Sequence, residues 1–133
     1  MVAVIFPDIE TEICGWLGQQ LRDRGDTARV VTKVPTTRPA RFVRLVRAGG
    51  TQRDLITDRP RIVFECWDSA GDIAASDLAR LVRALVTGAA PGWIGTAWCD
   101  KAVDAGMAFL PDLASGTPRY LVTIELHITG SEL

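Results

Sequence analysis

The chain is poor in the residues that most chemistry needs. It carries one histidine, His127, and three cysteines, Cys14, Cys66 and Cys99, in 133 residues. The cysteines are odd in number, far apart and free of any CxxC pair. A zinc site or a disulfide framework is therefore not expected, and the usage points to a reducing compartment. No apolar run approaches the ~20 residues of a membrane span, so no membrane partner is expected. The opening stretch "MVAVIFPDIETEI" lacks a basic n-region and meets acids at once, so it does not read as a secretory signal. No GxxxxGK[ST] loop occurs, and the Gly49-Gly50 pair neither follows a Rossmann pattern nor opens a helix, so no cofactor is expected. Lysine is scarce as well: of 15 basic side chains, only Lys33 and Lys101 are not arginine.

What remains describes an ordinary globular chain. Hydrophobic residues make up 47% and charged residues 23%, and the length suits one domain with one core, 1–133. The net charge of -1 gives no overall pull toward nucleic acid or an anionic surface.

The stretch "FPDIETEICGWLGQQLRDRG" predicts a first helix. Pro7 suits its first turn, and Asp8, Glu10 and Glu12 lie near the positive end of the dipole. Ile9, Ile13, Leu17 and Leu21 form one apolar stripe, and Gly25 is the stop. "ARVVTKVP" predicts a short strand and "TTRP" a turn or extended linker. "ARFVRLVRA" follows, bounded by Pro39 and the two glycines. Its arginines, Arg41, Arg44 and Arg47, recur every third residue, as on a helix. Its β-branched and aromatic residues favour a strand instead. Arg41, Val43, Leu45 and Arg47 then share one face, and Phe42, Arg44 and Val46 the other.

A polar connector, "GGTQRDLITDRP", leads to the strand "RIVFECW", expected to pair antiparallel with 40–48. "DSAGDIAASDLARLVRALVTG" predicts the second helix. Ser69 and Asp72 resemble a capping box, Ala74, Leu78, Leu81, Val82 and Leu85 make the buried stripe, and Gly88 is the end. A strand is expected near 94–104 in a loop-rich stretch. "RYLVTIELHIT" alternates strictly, with Tyr120, Val122, Ile124, Leu126 and Ile128 inward. The order α-β-β-β-α-β-β predicts an α+β fold: a mainly antiparallel sheet with two helices on one face.

A catalytic centre does not emerge. A nucleophile needs a base within reach and a group to orient it. His127 falls on the outer face of the last strand as an exposed bystander. Cys14 and Cys66 sit in apolar patterns, where cysteine is usually a small buried hydrophobe. The pairs Asp68/Asp72 and Asp100/Asp104 read as helix-start and loop residues. No enzyme is expected. Arg41, Phe42, Arg44, Arg47 and Arg53 give a weak basic and aromatic pattern for nucleic acid, but Asp54 and Asp58 follow directly. Protein assembly is the stronger reading. Trp67, Trp93 and Trp98 lie at strand ends and loops, and tryptophan and arginine anchor interfaces.

The order of motifs carries a resemblance. "FPDIETEICGWL", "RPARFVRLVRAGG", "ECWDSAGDIAASDLARLVRAL" and "LPDLASGTPRYLVTIELHITG" together resemble tail terminator (tail completion) proteins of long-tailed bacteriophages, especially those of actinobacterial hosts. The resemblance covers nearly the whole chain and contains no catalytic signature. It implies a structural virion protein that forms a homo-hexameric ring on the tail-tube protein, ends tail polymerisation and offers a surface to the head–tail connector or neck. DNA would pass through the lumen as cargo, and the location would be the head-proximal end of the tail. On this reading Arg41, Arg44, Arg47, Arg53, Asp54, Trp67, Trp93 and Trp98 are candidates for interface or lumen. Another neck protein of the head-completion kind is the alternative, and a small nucleic-acid-binding domain is a third reading.

Overall fold

In the computed structural model, which describes residues 2–133, the two expected helices lie on one face of a curled, mainly antiparallel sheet. The elements in chain order are β1 (Val4–Ile5), α1 (Ile9–Asp23), β2 (Arg29–Val31), β3 (Arg41–Arg47), β4 (Thr57–Asp58), β5 (Arg61–Asp68), α2 (Asp72–Thr87), β6 (Gly92–Ile94), β7 (Ala97–Phe109), β8 (Arg119–Thr129) and β9 (Ser131–Glu132). This is the expected α-β-β-β-α-β-β frame with β1, β4, β6 and β9 added. The main sheet runs β2-β3-β5-β8-β7-β6, and β4 also pairs with β8. Among the described residues, only the β2–β3 pairing is parallel. β1 and β9 form a separate ribbon that ties the N-terminal segment to the end of the chain.

The apolar stripe of α1 forms as its spacing predicts: Ile9, Ile13, Leu17 and Leu21 are all buried. Asp8 is the N-cap, its carboxylate accepting from the Thr11 amide and hydroxyl, so Pro7 precedes the helix instead of opening it. The helix ends just before Gly25, whose φ of 72° is costly for any residue with a Cβ. α2 turns slightly from its expected face. Ala75, Leu78, Ala79, Val82 and Val86 are buried, while Leu81 and Leu85 are only partly covered. Gly71 is its N-cap and makes no side-chain cap, so the Ser69/Asp72 capping box does not form. The short residues Ala75 and Ala79 let the helix backbone approach the sheet, which moves the longer leucines to the flank.

One core lies between the helices and the sheet. It takes Val43 and Leu45 from β3, Ile62, Phe64 and Cys66 from β5, and Val122, Ile124, Leu126 and Ile128 from β8. The expected faces of 41–47 and 119–129 are therefore correct, with Tyr120 at the margin of the core. β7 is longer than expected and continues to Phe109, with irregular register against β8 between Cys99 and Lys101 and again between Asp104 and Met107. Asp100 and Asp104, read from sequence as loop residues, lie on this strand.

Candidate functional site

The three arginines of β3 each meet carboxylates of their own chain. Arg41 lies on the helix side, at the end of the strand. Its Nε and Nη2 donate to the two oxygens of Asp26 at 2.9 and 2.8 Å, and its Nη1 donates to Asp68 at 3.0 Å and to the Ala74 carbonyl at 3.1 Å. One guanidinium thus ties β3 to the segment after α1, to the end of β5 and to the first turn of α2. The Arg41 guanidinium holds the Asp26 carboxyl below its ordinary value, against the opposing effect of burial. Arg47, at the other end of the strand, forks onto Asp58 at 2.7 and 3.1 Å and donates to the Gly49 and Gly50 carbonyls. It closes the connector between β3 and β5. Arg44 is on the open face and pairs at 2.7 Å with Glu65, its direct cross-strand neighbour. The spacing of three thus serves two faces and three separate internal contacts.

The remaining candidates divide. Arg53 and Asp54 are half exposed, bond each other at 3.1 Å and shape the connector through Thr57 and the Ile56 amide. Trp67, expected among the exposed anchors, is only 3% exposed. Its ring stacks on Phe42 at 5.2 Å, and the guanidinium groups of Arg38 and Arg119 lie over it at 5.2 and 4.9 Å. This small aromatic cluster sits on the face away from the helices, where a lone tryptophan at a strand end reads from sequence as exposed. Trp93 and Trp98 behave differently. They are direct partners across the β6–β7 hairpin, packed edge to face at 5.1 Å, and Trp93 is 63% exposed.

The reactive groups are engaged or covered. His127 is not the exposed bystander expected: it is largely covered and lies 3.1 Å from Glu125. Cys66 is fully buried, and burial pushes its thiol well above the ordinary range. Burial also raises Cys14 and Cys99, whose thiols donate to the Val30 and Lys101 carbonyls. Among the described residues no group of three or more His, Cys, Asp or Glu is placed to hold a metal ion. No helix among them is long and apolar enough to cross a membrane.

Two exposed apolar features lie at opposite ends of the β7–β8 hairpin. At its base is a hollow of about 550 Å³ lined by Ile5, Phe6, Pro7, Trp93, Trp98 and Gly130, among others. The hollow is built by contacts remote in sequence. The Thr96 amide and hydroxyl donate to Glu12 at 2.9 and 2.5 Å, which fixes the β6–β7 turn to α1. Gly95 in that turn has a φ of 60°, and a Cβ there would strike the Glu12 carboxylate. Trp98 Nε1 donates to Asp100 at 2.7 Å, which sets the angle of its ring.

At the other end, residues 110–118 form a tight loop around Asp112. Its carboxylate accepts from the Ser115 amide and hydroxyl and from Arg38 of the β2–β3 linker. Its amide donates to the Thr117 carbonyl, and its carbonyl accepts from the Gly116 amide. The Ser115 hydroxyl, and after it Arg38, hold the Asp112 carboxyl below its ordinary value. Leu113, inside this ordered loop, is 96% exposed, and Phe109 and Leu110 beside it are also exposed. Sequence reasoning missed these three. The signal was "FLPDLASGTP", where large apolar residues stand among turn formers with no strand or helix to bury them.

Compared with known proteins, the chain matches no protein-family model and no curated protein.

Proposed function

We propose that this protein is a structural subunit that joins rings to rings, and specifically a tail terminator of a long-tailed bacteriophage. Copies of it form a ring, hexameric by the resemblance, that seats on the last ring of tail-tube protein, stops its polymerisation and offers a surface to the neck. The observation that carries this reading is the pairing of exposed apolar features at opposite ends of one hairpin: the Trp93–Trp98 hollow and the Leu113 loop. Exposed apolar clusters rimmed by polar groups mark association surfaces. A subunit of a closed ring meets its two neighbours through two different surfaces, and these two features supply such a pair. The resemblance in motif order supports the same reading. The internal pairing of Arg41, Arg44 and Arg47 also suits it, because it removes strong positive charge from surfaces that DNA must pass.

The test is to delete the gene from its phage and view the lysate by electron microscopy. A terminator's absence leaves tails of irregular, excessive length. Tails of normal length beside unjoined heads would overturn this reading in favour of a head-completion protein.

A further inference from the structure

Leu113 and the Trp93–Trp98 hollow have the shape and chemistry of a knob and its hole. We infer that Leu113 of one copy seats in this hollow of a neighbouring copy, and that this is the contact by which copies join. The inference deepens the ring reading and names the contact between neighbours.

Three observations lead to it. First, the loop bearing Leu113 is ordered before any partner arrives. Asp112 holds it through the Ser115 amide and hydroxyl, the Gly116 and Thr117 backbone and Arg38, while the Leu113 side chain stands in solvent. A preformed loop loses little entropy on docking, so the contact it makes is retained as affinity. Second, the hollow is lined by aromatic and aliphatic side chains and is larger than one leucine side chain needs. Leu113 cannot fill its own copy's hollow. The two lie at opposite ends of β7, which at 3.3 Å per residue is roughly 40 Å long.

Third, the charges beside them are complementary. Asp8 and Asp100 flank the hollow with no cationic side chain within 4.0 Å, among the described residues. Arg119, at the base of the Leu113 loop, donates to the Leu110 carbonyl, lies over the Trp67 ring and has no carboxylate partner among those residues. Docking brings this cation toward those acids. Because knob and hole are different surfaces, the contact is heterologous, and it makes a ring where the rotation between copies closes, as the ring reading requires.

The contact is tested by complementation with the full chain. Leu113→Asp keeps the hole and loses the knob. Trp93→Asp keeps the knob and loses the hole. Both positions are exposed, so both variants should fold, which circular dichroism checks, and Trp93→Ala is the reserve variant. In sedimentation velocity at about 100 μM, wild-type protein should form closed oligomers and each variant alone should stay monomeric. An equimolar mixture of the two should form one-to-one dimers and nothing larger. Leu113→Ala should weaken association by about 10- to 100-fold.

A wild-type monomer at that concentration, single variants that assemble like wild type, or a mixture that stays monomeric would each overturn the contact. Tail-tube protein is absent from this experiment, so its outcome is separable from the terminator reading. Rings that cap tubes with Leu113→Asp protein would keep the function and discard the contact. Mixed dimers from protein that leaves tubes unchanged would do the reverse.

Discussion

Replacing Arg41 by Ala should destabilise the protein far more than the loss of a surface ion pair. The side chain is 21% exposed, and its acceptors Asp26 and Asp68 are 13% and 8% exposed. Exposed pairs contribute about 0–1 kcal/mol. Removing one partner of a buried pair costs about 3–5 kcal/mol, because a charge is left without its counterion. Here two carboxylates are left, each keeping one backbone donor: Ala28 for Asp26 and Ala70 for Asp68. Partial solvent access then places the cost at about 3 kcal/mol. For a chain of this size that is a fall in Tm of about 10 °C. Arg41→Lys, which keeps the charge but cannot fork onto Asp26, should lose about half as much.

Urea denaturation at pH 7 measures the difference directly. The pH dependence gives a second check. Asp26 is held below its ordinary value in the folded protein, so its contribution is fully present above the unfolded value of ~3.9 and is lost as pH falls through the lower folded value. Wild type should therefore lose stability toward Arg41→Ala as pH drops below about 4. A cost under about 1 kcal/mol at pH 7, or a gap between the two proteins that does not narrow in acid, would refute the staple.

Three further outcomes follow from other parts of the fold. Arg44→Glu should lose about 1 kcal/mol by placing two acids opposite each other, and adding Glu65→Arg should restore most of it; a swap no more stable than the single variant in urea would contradict the pairing. Gly50→Ala should cost at least about 2 kcal/mol, since φ is 89° and a Cβ would strike the Arg59 carbonyl and Arg61 amide; a denaturation midpoint equal to wild type would contradict it. Cys66 should resist iodoacetamide in native protein at pH 8 and react only on unfolding, so rapid labelling of Cys66 found by mass spectrometry would show that its site opens without unfolding.

The helix-facing half of this molecule is legible in its sequence because periodicity encodes burial. Ile9, Ile13, Leu17 and Leu21 could face only one way on a helix, and Val122 to Ile128 could face only one way on a strand. The opposite face is harder to read. Phe42 and Trp67 bury each other there without a helix, and no period marks a pair joined across strands. The β3 arginines suggested partners outside the chain because their acids, Asp26, Asp58, Glu65 and Asp68, lie 11 to 27 positions away in sequence. Register brings them together, and register is not written in spacing. The hollow depends on Ile5, Phe6, Trp93, Trp98 and Gly130, three separate stretches that the β7–β8 pairing, the β1–β9 ribbon and the Glu12–Thr96 bonds bring together. Leu113 was the most readable omission, a large apolar residue among turn formers with nothing local to cover it.

The terminator reading meets its most direct test when purified protein is added to polymerising tail-tube protein from the same genome and the tubes are viewed by electron microscopy. Ring-shaped caps are expected at one end of each tube, with growth arrested there. Tubes that keep growing, uncapped and unchanged in length, would contradict it.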